Sequence, residues 1–121
     1  MARILVVDDQ RWVVALLTEY LELEGYAIIP AYNGPAALEL AEAELPDLIL
    51  LDVMMPRMDG YEVCRRLKAT TATRHIPVVI TWAGPEAEGR PEASAAGAVD
   101  YLVLPCKSEE LIAVIRRCLN A

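Results

Sequence analysis

Leu48-Ile49-Leu50-Leu51-Asp52 is an apolar run that ends on an acid, and its reading decides the fold. Consecutive apolar residues without a polar alternation are the pattern of a strand covered on both faces, as in a parallel sheet with helices on each side. Comparable runs flank it: Ile4 to Val7 and, more weakly, Ala27 to Pro30 precede it, and Val78 to Trp82 and Tyr101 to Leu104 follow. Amphipathic stretches fill the gaps. From 11 to 24, Val13, Leu16, Leu17, Tyr20 and Leu21 recur at helical spacing, and Gly25 supplies a left-handed stop. Asn33-Gly34-Pro35 opens a second helix that runs to about Glu44, a cap followed by a proline whose missing N–H costs nothing there. A third helix, near 60 to 70, buries Val63, Cys64 and Leu67, and a last one from about Ser108 to Leu119 carries Leu111, Ile112, Ile115 and Leu119 on one stripe. Strand and helix alternate with short connections, which predicts right-handed crossovers and an open α/β sandwich with a five-stranded parallel sheet.

One segment resists this pattern. A fourth helix is required between Ala83 and Ala96, yet Gly84, Pro85, Gly89 and Pro91 fall inside it. Interior Pro costs roughly 3 kcal/mol and Gly about 1 kcal/mol against Ala. The expectation is a short or irregular fourth helix, from about Pro91 to Ala96, after an irregular loop.

The 121 residues suit one domain, 1–121, and the formal charge of −7 would repel phosphate backbones and anionic headgroups. Direct nucleic-acid and membrane binding are disfavoured. No apolar stretch approaches the ~20 residues that span a bilayer, and Asp8 and Asp9 come too early for a signal peptide, so a cytoplasmic location is expected. Cys64, Cys106 and Cys118 match neither a disulfide framework nor a zinc pattern and read as reduced thiols.

Ligands of open parallel sheets sit outside the carboxyl ends of the strands. Asp8 and Asp9 follow the first strand directly and Asp52 ends the third, so three carboxylates should gather at one edge. Like charges at close range either raise a pKa or recruit a cation, and all-oxygen ligation suits a hard ion, with Mg²⁺ the natural occupant of a shallow site. The alternative is that these are solvated loop acids. His75, at the amino end of the fourth strand, reads as structural or surface; Trp12 as core or rim packing; Met54, Met55 and Met58 as adaptable packing.

At these residues the sequence resembles the receiver domain of two-component response regulators, over essentially its whole length. Ile4-Leu5-Val6-Val7-Asp8-Asp9 is similar to the family's first strand and acidic pair, and Leu51-Asp52-Val53-Met54-Met55-Pro56-Arg57-Met58-Asp59-Gly60 to its phospho-acceptor strand and loop. Gly97-Ala98-Val99-Asp100-Tyr101-Leu102 is similar to the run into its last strand, with Tyr101 at the aromatic switch position. The resemblance implies a flavodoxin-like (βα)5 fold with strand order 2-1-3-4-5. It also implies that Asp52 accepts a phosphoryl group from a sensor histidine kinase or phosphotransfer protein. Asp8, Asp9, Asp52 and the Met54 carbonyl would surround Mg²⁺, since a carboxylate approaching phosphoryl oxygens needs a bridging cation.

Two positions depart from the family. The Ser or Thr that closes its fourth strand is replaced by Trp82, and the Lys before the proline after its fifth strand by Leu104. Thr81 substitutes for the first only if a bulge re-aims it, because a one-residue slip turns a strand side chain to the other face. Lys107 reads as a surface lysine rather than a replacement for the second. With Mg²⁺ the three carboxylates sum to about −1, and phosphorylation makes that about −2. A missing unit charge at ~4 Å and effective dielectric ~20 is worth roughly 4 kcal/mol before desolvation. The reading is a receiver with a degenerate switch, phosphorylated at Asp52 and signalling by contact with a downstream protein or output domain. A phosphorylation-independent interaction module on the same scaffold is the alternative. An enzyme or flavin carrier is disfavoured, because the acidic loop repels a cofactor phosphate.

Overall fold

The computed structural model describes residues 1–84 and 86–120. Strands and helices alternate as β1 (Arg3–Val7), α1 (Arg11–Leu23), β2 (Ala27–Ala31), α2 (Gly34–Glu44), β3 (Leu48–Asp52), α3 (Gly60–Ala69), β4 (Val78–Trp82), α4 (Glu86–Ala95), β5 (Asp100–Val103) and α5 (Ser108–Leu119). The sheet is parallel, in the order β2-β1-β3-β4-β5. This is the five-stranded α/β architecture expected.

The two-residue period of the strands divides the core. Ile4, Val6, Leu48, Leu50, Val79 and Leu102 face α1 and α5, meeting Val14, Leu17, Leu21, Leu111 and Ile115. Leu5, Val7, Ile49, Leu51, Ile80 and Tyr101 face the other way, toward Ala37, Ala41, Val63, Cys64, Leu67 and Ala93. Leu48 to Leu51 are buried on both faces, and each such side chain contributes about 1.5–3 kcal/mol. That burial is why β3 shows no polar alternation. β2 is the edge strand and only part-buried, which explains its weaker apolar signal.

Two local signals act as read at helix ends. Asn33 Oδ1 accepts from Ala36 N at 2.8 Å ahead of Pro35, and Gly25 takes φ +91° after α1. Asp59 caps α3 by accepting from Glu62 N at 2.9 Å. The inward stripe of α1 is rotated from the expected one: Val14 is buried, while Leu16 is 39% exposed.

The fourth helix is the main correction. Rather than a short piece from Pro91, α4 runs from Glu86 to Ala95 with Gly89 and Pro91 inside it. Pro85, also assigned to the irregular loop, lies outside the described residues. Tertiary contacts outweigh the local penalty: Ala93 and Ala96 are buried, and Tyr61 donates its hydroxyl to the Gly89 carbonyl at 3.2 Å.

Candidate functional site

Asp8 and Asp52 leave the sheet side by side because β1 and β3 pair with Val7 opposite Leu51. Asp9 is exposed beside them. Carboxylate oxygens of Asp8, Asp9 and Asp52 all lie within 4.8 Å of one another. The loop after β3 is folded tightly onto the strand end: Gly60 N donates to the Val53 carbonyl at 3.0 Å, and a β-carbon at Gly60 would collide with the Asp52 carbonyl. Asp59, the other acid of this loop, is occupied as the α3 cap.

The electrostatics follow from this packing. Burial, then the charges of Asp8 and Asp9, push the Asp52 carboxyl up to about 7, against the opposing pull of the Met54 and Val53 backbone N–H groups. Burial and Asp9 also raise Asp8, offset by the Gln10 N–H that donates to its Oδ1 at 2.9 Å. Three close carboxylate oxygens with unrelieved repulsion form a donor set suited to a hard divalent cation. The residues fit the Mg²⁺ expected from sequence.

A groove of about 430 Å³ adjoins these acids, running between α1 and the segment after β5 past Asp8, Trp12, Leu16, Asp52, Leu104 and Lys107. Trp12 is a rim residue, 67% exposed, with its Nε1 donating to Gln10 Oε1 at 2.9 Å. Met55 is buried and Met58 part-buried, but Met54 is 63% exposed, so packing does not account for it.

The family model of the response regulator receiver domain matches residues 4–116. The chain belongs to this family. It is 49% identical over 115 residues to the response regulator PleD of Caulobacter vibrioides, covering 95% of this chain and 25% of that protein. It is 44% identical over 118 residues to the response regulator MprA of Mycobacterium ulcerans, covering 98% of this chain and 50% of that protein. The chain thus spans a quarter to a half of the length of these relatives. The solved receiver domain of the sensor histidine kinase PA1611 from Pseudomonas aeruginosa, described with a magnesium ion coordinated in its active-site cleft, superposes with a TM-score of 0.92 at 29% identity, over 99% of this chain and 98% of that one.

In this receiver domain the remaining positions divide between the two faces of the sheet. Trp82 and Tyr101 lie on the α3/α4 side, packed with the core there. Trp82 is half-buried, its ring lying over Gly84, and Tyr101 is buried. Thr81 stays in the uninterrupted register of β4, opposite Asp52 on one side and Leu102 on the other, with no bulge to re-aim it. Leu104 lies just beyond β5, its N–H donating to the Trp82 carbonyl at 2.8 Å, and packs half-buried on the α1/α5 side. Lys107 is exposed at the N-cap of α5 and, among the described residues, makes no ion pair with the acids. His75 is exposed before β4, and the three cysteines are free.

Sequence reading took Gly89 only as a helix breaker and missed Tyr61 and Arg90, which with it surround Tyr101. Arg90 places its guanidinium 5.0 Å from the Tyr101 ring centroid. A glycine inside a required helix was the available signal, since it marks a place where another group approaches the backbone closely.

Proposed function

We propose that the chain is a signalling receiver that accepts a phosphoryl group on Asp52 in a Mg²⁺-dependent step and signals by protein contact. The observation that carries this reading is the meeting of Asp8, Asp9 and Asp52 oxygens within 4.8 Å at the carboxyl edge of the sheet. Asp8, Asp9, Asp52 and the Met54 carbonyl would hold Mg²⁺. The ion, when bound, supplies the positive charge that offsets carboxylate and phosphoryl oxygens. An Asp52 oxygen forms the bond to phosphorus as the bond to the donor's imidazole nitrogen breaks, and the imidazole leaves with its electron pair and takes a proton. The donor would be a sensor histidine kinase or phosphotransfer protein, and the recipient of the signal a downstream protein or output domain in the cytoplasm. The formal charge of −7 favours protein partners over nucleic acid.

Trp82 and Leu104 make the switch degenerate in this reading. Neither can supply the small hydroxyl or the ammonium that family members direct at the phosphoryl oxygens. The apolar wall that Leu104 adds beside the acids favours, as a second reading, an interaction module that works without phosphate. Acetyl phosphate or beryllofluoride with Mg²⁺, followed by intact mass and heteronuclear NMR, separates the two. One adduct on the wild type and none on Asp52→Asn is expected. No adduct, or an equal one on the variant, overturns phospho-acceptance and leaves the module.

A further inference from the structure

Seven large apolar side chains are exposed among the described residues, and three of them, Trp12, Leu16 and Met54, line the groove of about 430 Å³ beside the acids. Exposed apolar residues scattered singly need no explanation, but a set gathered on one concave surface marks a binding site. Trp12 and Leu16 stand about one helical turn apart on α1, and Leu104 and Pro105 supply lining from the segment after β5. The groove follows α1 as far as Tyr20, a rise of about 12 Å from Trp12. Asp8 precedes α1 and Asp52 leaves the neighbouring strand, so both acids stand at the Trp12 end. They are only 5% and 7% exposed, and among the described residues neither makes an ion pair.

A cavity of this size with apolar walls and a few convergent polar groups is of the kind that holds a small organic molecule. A bare metal ion would answer the acids and leave the walls uncovered. A neutral apolar molecule would cover the walls and leave buried carboxylates unpaired, which is costly. We propose that the groove is a binding site for an amphiphilic organic cation, with its ammonium or guanidinium head at Asp8 and Asp52 and its apolar body between α1 and the segment after β5. Leu104 is central to this site. A lysine there would bring its own ammonium to the acids, whereas Leu104 leaves that place to a ligand and adds apolar lining. The head would occupy the same carboxylates as Mg²⁺, so the two should compete; that competition alone rests on the Mg²⁺ reading.

The test is titration of butyl-, hexyl- and octylammonium into the protein at pH 8 without Mg²⁺, by calorimetry and heteronuclear NMR, with hexanol as the uncharged control. Affinity should rise about threefold per added methylene, and hexanol should bind at least about tenfold more weakly than hexylammonium. The shifted resonances should be those of α1 and Leu104. An Asp8→Asn, Asp52→Asn variant should bind hexylammonium and hexanol alike, and Leu104→Lys should lose about tenfold or more in octylammonium affinity. If Leu104→Lys does not fold, Leu16→Lys places a charge on the opposite wall at a part-exposed helix position and should lose as much. No saturable binding, equal binding of hexanol and hexylammonium to the wild type, or unchanged affinity in the asparagine variant overturns the inference. A wild type that binds octylammonium but not Mg²⁺ overturns the Mg²⁺ reading and supports this site; one that binds Mg²⁺ but not octylammonium does the reverse.

Discussion

The phenol of Tyr101 rests against the α-carbon of Gly89, in space that a β-carbon at Gly89 would occupy. The inward position of Tyr101 and the course of α4 therefore depend on each other. Gly89→Ala gains about 1 kcal/mol of helix propensity in isolation. The overlap with the phenol should outweigh it, for a net loss of about 1–3 kcal/mol, or else turn Tyr101 outward. Thermal melts and the ring resonances of Tyr101 check this, and adding Tyr101→Ala should remove the overlap part of the loss. A Gly89→Ala protein more stable than the wild type with Tyr101 still inside would refute the dependence.

Metal-free stability should fall as pH rises from about 4 to 7. Asp52 titrates near 7 in the folded protein and Asp8 is raised as well, whereas the unfolded chain holds both near the ordinary aspartate value of about 3.9. Between those values the folded state binds more protons than the unfolded, so stability is lost with rising pH. The Asp52 contribution, reduced for partial solvent screening, is about 2 kcal/mol. Urea melts at pH 5 and pH 8 check it, and Asp52→Asn should remove most of the difference from the wild type.

Mg²⁺ should reverse this loss. Millimolar Mg²⁺ at pH 8 is expected to raise the melting temperature of the wild type and not that of an Asp9→Asn, Asp52→Asn variant. Because protons and the cation compete for Asp52, affinity should fall about tenfold per pH unit well below 7 and level off above 8. Pure pH independence from 5 to 8 in calorimetry would exclude Asp52 as a ligand.

Leu104→Lys and Trp82→Thr should move the domain toward an ordinary receiver. Leu104 is half-buried at the groove beside Asp8 and Asp52, so a lysine can keep its stem on the apolar wall and carry its charge toward the acids. The phosphorylated state should last several-fold longer in Leu104→Lys. Trp82→Thr loses aromatic packing, about 1–2 kcal/mol at this half-buried position, and restores a hydroxyl on the Tyr101 face. The double variant should couple phosphorylation to a new Tyr101 rotamer by NMR, with an effect unequal to the sum of the single changes. Equal lifetimes in wild type and double variant would show that the switch is not impaired.

Pro91→Ala should stabilise the protein. Pro91 is exposed inside α4 and supplies no N–H to the helix. Relief of part of the roughly 3 kcal/mol interior penalty predicts a gain of about 1–2 kcal/mol in a denaturant melt. An unchanged or lower midpoint would mean the helix is adapted to proline there.

What the sequence determined by itself was whatever rests on local chemistry and on period. Unbroken apolar runs marked buried parallel strands, Asn33 marked a helix start, and acids directly after Val7 and Leu51 marked the edge where a site forms, because strand direction alone carries Asp8, Asp9 and Asp52 there. The tertiary structure decided what depends on neighbours distant in sequence. Glycine and proline forbid a helix only when nothing else holds it; α4 forms because Tyr61, Tyr101 and the buried Ala93 and Ala96 hold it, which no local pattern encodes. Thr81 beside Trp82 was ambiguous in sequence by one residue. Pairing of β4 with both β3 and β5 assigned it to the face of Asp52, since a strand held on both edges has no freedom to slip.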